Sequence, residues 1–403
     1  MRTKEGSVAK LLQLLRRHSP LSRADLVRLS GLTAPTVSSG VAQLERQGLA
    51  IALGPGNSSG GRPPGLLEFH ARHGYVIGAD IGGSYMRLAL ADLNGTIAGK
   101  WNAALKADRS PQAVTEMMSA AISQLTKRHG VPMKKVLEVC AGAPGITDVL
   151  AGKVLSAPNL GGWRDVPWRE LLQRELRIPV TIENDVNLGA LGEGWKGAAS
   201  GVSNFVFLAI GTGVGAGIVV NNMLYHGANW SAGEVGYMLL PNLSDDPPAN
   251  NKPGALESAV GGKAIERAWT AMNGSRNGGE PLQATQIFDL SMAGDSMARS
   301  LLNRAAGQLA MAVTNLSLVL DLSLVVLGGG VGQHGALLQA MRRILQRNEF
   351  ARPRLLASRL GGEAQIHGAI WTALQAAEAS GFRRRSLTSG DSFAKSFVLA
   401  AKN

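Results

Sequence analysis

The stretch Tyr75-Val76-Ile77-Gly78-Ala79-Asp80-Ile81-Gly82-Gly83-Ser84 decides the fold. Its apolar opening reads as a buried strand, and it runs into an acidic residue followed by two glycines. Met86 to Ala91 supplies a second strand, and Asn94-Gly95 a tight turn. About 130 residues later the plan recurs. There Phe205-Val206-Phe207-Leu208-Ala209-Ile210 enters the glycine loop Gly211 to Gly217, then the strand Ile218 to Val220 and the turn Asn221-Asn222. Two strand, glycine-loop, strand units predict a duplicated α/β fold with a cleft between its halves. A third turn, Gly328-Gly329-Gly330, follows the strand Leu324 to Leu327. Without a Cβ, such loops let backbone N–H groups close around phosphate oxygens, although each one taken alone is an ordinary tight turn.

Between the repeats lie Ala143-Pro144-Gly145-Ile146, Ala157-Pro158-Asn159-Leu160 and Pro179 to Asn187, the last containing Glu183-Asn184-Asp185. An acidic residue at a strand end, flanked by amides, suits a polyol, and its carboxylate can act as base toward a hydroxyl. The competing reading is a turn and helix cap.

Working outward, the N-terminal segment reads as three helices. Val8, Leu11, Leu12, Leu14 and Leu15 recur at helical spacing from Glu5 to His18, and Pro20 ends that helix. Ser22 with Asp25 makes a capping-box start for a second helix. Gly31-Leu32 turns the chain, and Thr33 caps a third helix carrying Val37, Val41 and Leu44 to about Gln47. Two helices joined by a short glycine-containing turn are a helix-turn-helix, whose second member enters the major groove of DNA. A strand at Gly48–Leu53, the tip Gly54 to Gly61 and a strand at Leu66–Phe69 predict a wing. Thr33, Thr36, Ser38, Ser39 and Gln43 are candidate base contacts, and Arg23, Arg46 and Arg62 candidate phosphate or minor-groove contacts. A small helical interaction module with solvated arginines is the alternative.

Charge agrees with this division. Of a net +12 over 403 residues, residues 1–72 hold +6, residues 341–403 hold +7, and the body between is −1. The longest apolar run, around Leu316 to Leu327, is broken by Asp321 and falls short of the roughly 20 residues of a membrane span. A single Cys excludes a disulfide scaffold and a Cys-cluster metal site, which predicts a cytoplasmic protein.

Taken together, these residues resemble the ROK family (repressor, open reading frame, kinase), whose domain has the actin and hexokinase, or ribonuclease H-like, fold. The resemblance covers nearly the whole chain and implies a winged helix-turn-helix over 1–72 and a two-lobed ROK domain over 73–403. It implies nucleotide contacts at Asp80, Gly82, Gly83, Ser84, Gly211, Thr212, Gly213 and Gly329. It implies sugar contacts at Asn159, Asn184, Asp185, Glu234, Tyr237 and Glu257, with Asp185 in the place of the catalytic base if the chain is a kinase. Departures are equally specific. Tyr237 stands where the family has a sugar- and zinc-binding His, the segment Leu239 to Ala255 has no Cys, and Tyr85 replaces a Lys after Ser84. No zinc or other metal site is expected, and ATP and magnesium belong only to the kinase alternative.

The functional expectation is a sugar-responsive repressor of carbohydrate genes. Its partners are a double-stranded operator, a sugar or sugar-derivative effector, and a second copy of the chain in a dimer or tetramer. The alternative is an ATP-dependent sugar kinase with an appended DNA-binding domain. His226 and His367 read as local hydrogen-bonding residues, and Arg383-Arg384-Arg385 as the start of a basic tail.

Overall fold

A computed structural model describes residues 4–55, 65–241, 243, 252–273 and 281–384. The chain divides into two compact units: Met1–Val76 with Ala91–Ala98, and Ile77–Leu90 with Gly99–Asn403. The expected N-terminal domain, 1–72, lies inside the first.

In the first unit, α1 (Lys4–His18) presents Leu11 and Leu15, and α3 (Ala34–Arg46) presents Val37, Val41 and Leu44, all fully buried. Between them α2 (Arg23–Ser30) starts in a full capping box. The Asp25 N–H donates to Ser22 Oγ at 3.1 Å, and the Ser22 N–H donates to Asp25 Oδ2 at 3.1 Å. Gly31 closes α2 at φ +64°, the left-handed conformation that glycine adopts without a Cβ penalty. Thr33 holds the N-cap position of α3, but its hydroxyl pairs with that of Thr36 at 2.8 Å instead of with the backbone.

Strands β1 (Leu21–Ser22), β2 (Ala50–Pro55) and β3 (Gly65–Phe69) form an antiparallel sheet in the order β1-β3-β2. Two residues are too few for an alternation signal, so β1 escaped the sequence reading. The second strand starts at Ala50, not Gly48, because Gly48 sits at φ +72° and the Leu49 N–H is spent on the Leu44 carbonyl at the end of α3. Residues 56–64, with the predicted tip and Arg62, lie outside the described residues.

The remaining strands build two five-stranded sheets. The first has the order β11-β7-β4-β5-β6, from β4 (Tyr75–Ile81), β5 (Tyr85–Asp92), β6 (Ile97–Ala104), β7 (Val136–Ala143) and β11 (Val180–Asn184). The second has the order β14-β13-β12-β15-β16, from β12 (Phe205–Ile210), β13 (Val214–Val220), β14 (Met223–Leu224), β15 (Leu324–Gly328) and β16 (Arg354–Ala357). Each sheet thus contains a run of three consecutive strands as neighbours, flanked by later parallel ones, which is the expected duplication. A small sheet, β8 (Ile146–Asp148), β9 (Lys153–Ser156) and β10 (Arg164–Val166), follows β7.

Helices α4 (Pro111–Arg128) and α5 (Trp168–Leu176) belong to the first half. In the second, α7 (Ala255–Val260), α8 (Gly262–Asn273), α9 (Ala284–Met292), α10 (Ser296–Leu320), α11 (Gly329–Gly332) and α12 (Gly335–Leu345) surround an apolar core running from Val206 and Leu208 through Leu309 and Val313 to Met341. Helices α6 (Asp185–Lys196) and α13 (Ala364–Ala379) cross so closely that a Cβ on Gly368 would fall on the Leu188 carbonyl oxygen. Among the described residues no helix is long and apolar enough to cross a membrane.

The second glycine loop is shorter than expected. Only Gly211-Thr212-Gly213 is loop, since β13 begins at Val214. Gly215 and Gly217 serve packing instead: a Cβ on Gly217 would meet Ala190 Cβ on α6 at 2.5 Å.

Candidate functional site

Strand ends place the site. β11 runs parallel to β7, with Asn184 opposite Ala143, so the Asn184-Asp185 step falls at the carboxyl edge of the first sheet. Asn184 caps α6: its Oδ1 accepts from the Asn187 N–H at 2.9 Å, and its Nδ2 donates to the Gly145 carbonyl at 2.8 Å. The turn-and-cap reading of this segment is thus met, with both amide atoms of Asn184 engaged in it. The cap ties the Gly145 loop, and with it the strand leading to the exposed Asn159 on the turn Pro158–Leu160, to the base of α6.

Asp185 is the first residue of α6 and is half-buried. Burial and the neighbouring carboxylates of Asp80 and Glu234 push its pKa up to about 8, against the lowering effect of the Val186 N–H it accepts at 2.9 Å. At neutral pH it is mostly a neutral carboxyl, able to donate as well as accept a hydrogen bond.

Glu234, just before the turn Val235–Tyr237, is raised by burial and by Glu257. Glu257 on α7 accepts the Val214 N–H at 2.9 Å, which fixes it beside the start of β13. Tyr237 is pushed up by burial, then by Glu234 and Glu257, and its hydroxyl donates to the Lys252 carbonyl at 3.2 Å. Asp80, Asp185, Glu234, Glu257 and Tyr237 thus form one connected acidic neighbourhood drawn from both halves.

Glu183 faces the other way. It is buried, accepts from the Asn184 N–H (2.8 Å) and Asn187 Nδ2 (3.0 Å), and pairs with His226 Nε2 at 2.8 Å. His226 desolvation works against its charge, but the Glu183 carboxylate wins and raises its pKa. The pair anchors the segment that leads to Glu234, which matches the local role expected of His226.

The glycine loops come next. β12 and β15 are parallel neighbours, with Ala209 opposite Gly328, so the turns Gly211–Gly213 and Gly329–Gly330 lie side by side beyond their ends. Gly329 has φ +74° and its Cβ position coincides with the Ile210 carbonyl, so no other residue fits there. The Gly211 carbonyl accepts from the Gly262 N–H at 2.8 Å, holding the turn against the start of α8. In the first loop the Gly82 N–H donates to the Tyr85 carbonyl, the Ser84 carbonyl accepts from the Leu105 N–H, and Tyr85 is exposed.

Two arginines near these loops escaped the sequence reading. Arg87 on β5 donates to Asp80 Oδ2 through Nε at 3.1 Å and also through Nη2, and its third nitrogen reaches the Gly362 carbonyl. Asp80 is only 1% exposed; burial raises its pKa, and Arg87 opposes the rise. A charged residue in the otherwise apolar run Met86 to Ala91 was the available signal. Arg109, before α4, donates to the Gly83 carbonyl at 2.8 Å and so places a cation beside this loop. Nothing in its sequence context marks it.

A magnesium ion is held through carboxylate oxygens, and of the buried Asp80 carboxylate Arg87 engages Oδ2 alone. A structural zinc needs about four nitrogen or sulfur ligands. The segment Leu239 to Ala255 has neither Cys nor His, and Cys140 is buried in β7.

Residues 76–376 match the ROK family. The chain belongs to the ROK family. A xylose repressor, named as putative, from Caldicellulosiruptor sp. (strain Rt8B.4) is 32% identical over 349 residues, covering 84% of this chain and 87% of that one. A glucokinase from Halalkalibacterium halodurans is 31% identical over 319 residues, 75% of this chain and 95% of that one. The crystal structure of a ROK family transcriptional regulator, a homologue of the E. coli MLC protein, superposes with a TM-score of 0.77. It covers 92% of this chain and 96% of the other at 20% identity, a likeness of fold. The repressor and glucokinase relatives make ROK membership compatible with either activity, so the residues themselves must discriminate.

Proposed function

We propose that this ROK protein is a sugar-responsive transcriptional repressor whose first unit is a winged helix-turn-helix. The observation that carries the reading is the first unit itself: α2 and α3 joined through a left-handed Gly31, backed by α1 and an antiparallel sheet, with net charge +6 over residues 1–72. A metabolic kinase has no use for that unit. In this reading Ser38, Ser39 and Gln43 face base edges. Arg23, Arg46 and Arg62 meet phosphate, and Thr33 and Thr36, hydrogen-bonded to each other, shape the start of α3.

The effector is a sugar held by Asn159, Asn184, Asp185, Glu234, Tyr237 and Glu257, and xylose is the first to test because of the repressor relative. A neutral Asp185 can both donate to and accept from a sugar hydroxyl, which is what a polyol requires. The sugar acts by binding one closure of the two halves better than the other, which changes operator affinity in a homo-oligomer with paired half-sites.

Titrating the full chain with duplex DNA from upstream of sugar-uptake genes tests this. Binding should weaken steeply with salt and weaken further with sugar; DNA binding that is absent or indifferent to salt removes the reading. The glycine loops and Asp185 keep a specific second reading, sugar phosphorylation. ATP turnover that needs sugar and is lost in Asp185→Ala would put it first.

A further inference from the structure

The exposed face of α3 is built largely from short side chains. Residues step by about 100° around a helix, so Pro35, Ser39, Ala42 and Arg46 fall along one line, opposite the buried Val37, Gly40, Val41 and Leu44. Pro35, Ser38, Ser39 and Arg46 are exposed, and Ala42 is half-buried between them. One flank turns toward α2, where Arg23 reaches Glu45 at 3.5 Å. The other opens into a cleft of about 300 Å³, lined by Ser7 and Val8 of α1 and by Thr36, Ser39 and Gln43 of α3.

Along the centre line every side chain before Arg46 is short. A helix with such a face brings its backbone close to whatever it meets, and the arginines around it favour a polyanion. Serine hydroxyls accept either kind of base edge, so they discriminate poorly. Besides Gln43 on one flank, whose amide suits adenine, the groups on this face that tell one base pair from another in a major groove are apolar, and what they match is the thymine C5 methyl.

We infer that Pro35 and Ala42 read thymine methyl groups in the operator, so that part of the specificity of this chain is apolar. The inference rests on the DNA-binding reading above. Its test starts with the unaltered full chain, used to select duplexes from a random pool. Each thymine of the selected half-site is then replaced by deoxyuridine, which removes only the methyl. One or two positions per half-site should lose about threefold to fivefold in affinity. Placing 5-methylcytosine with guanine at those positions should recover more affinity than unmethylated cytosine. Ala42→Gly should bind the thymine and deoxyuridine duplexes equally at one position, and a thermal melt of the variant confirms that it is folded.

If deoxyuridine is tolerated at every position, the inference is overturned while DNA binding stands. A methyl effect that persists unchanged in both Ala42→Gly and Pro35→Ser also overturns it. If no duplex is enriched at all, the DNA-binding reading itself falls, and the inference with it.

Discussion

Asp185 carries the least comfortable ionisation in the site. Its pKa in the folded chain is about 8, against 3.8 for the group in water. Between those values the folded state holds a proton that the unfolded state has released, so the stability it contributes is full below about pH 4 and is lost as pH rises through about 8. Asparagine cannot ionise and keeps the shape. Asp185→Asn should therefore raise the melting temperature, with a gap over wild type that is small near pH 5 and grows toward pH 8.5. A gap independent of pH would place the carboxyl in a solvated environment and contradict the burial argued here. The same substitution keeps an acceptor and a donor for a sugar but removes the base that the kinase alternative would use, so thermal stabilisation by sugar should survive it. Arg87 acts one strand away on the same balance, because it spends its charge on Asp80 and so spares Asp185 a still stronger repulsion.

At the scale of elements, the crossing of α6 and α13 matters most, since α6 begins with the Asn184 cap and Asp185. Close approach is bought with glycine, and the other end of α6 is pinned by the fully buried Glu193. That carboxylate accepts from the Ser358 hydroxyl and from the Ala198 and Leu360 N–H groups. Gly368→Ala should destabilise the chain by about 2–3 kcal/mol, because the methyl meets backbone and not a movable side chain. It should also reduce the thermal shift given by sugar, since α6 must move. A fully stable variant would mean that the helices are free to separate. Elements of this kind show how far sequence reading reaches. Helices α1 to α3, the strands at Tyr75 and Phe205 and the Ser22 capping box are encoded in local pattern, and local pattern predicted them. Strand β1, the true start of β13 and the Arg87–Asp80 pair depend on partners far along the chain. Gly215 and Gly217 look like loop glycines until α6 is seen against them.

At the scale of the whole molecule, the proposal makes operator and sugar two ligands of one equilibrium. The acidic residues foreseen from the family motifs gather in one neighbourhood, which sequence spacing alone could not establish because Asp80 and Glu257 are 177 positions apart. Any coupling between that neighbourhood and DNA must be reciprocal: if bound sugar weakens operator binding by some factor, bound operator weakens sugar binding by the same factor. A hundredfold effect corresponds to about 2.7 kcal/mol, within reach of a few buried polyol hydrogen bonds. Sugar affinity measured by calorimetry with and without saturating operator should therefore shift by the ratio found when operator affinity is measured with and without saturating sugar. Equal sugar affinities in the two states, alongside a sugar-sensitive operator affinity, would break the cycle and show that sugar acts through something other than this chain's own equilibrium. Because the two ratios come from independent titrations, their agreement also tests whether each neighbourhood assigned here belongs to the ligand claimed for it: Asp185→Ala should lower sugar affinity in both columns of the cycle, whereas Arg46→Ala should lower operator affinity in both rows and leave the coupling ratio unchanged.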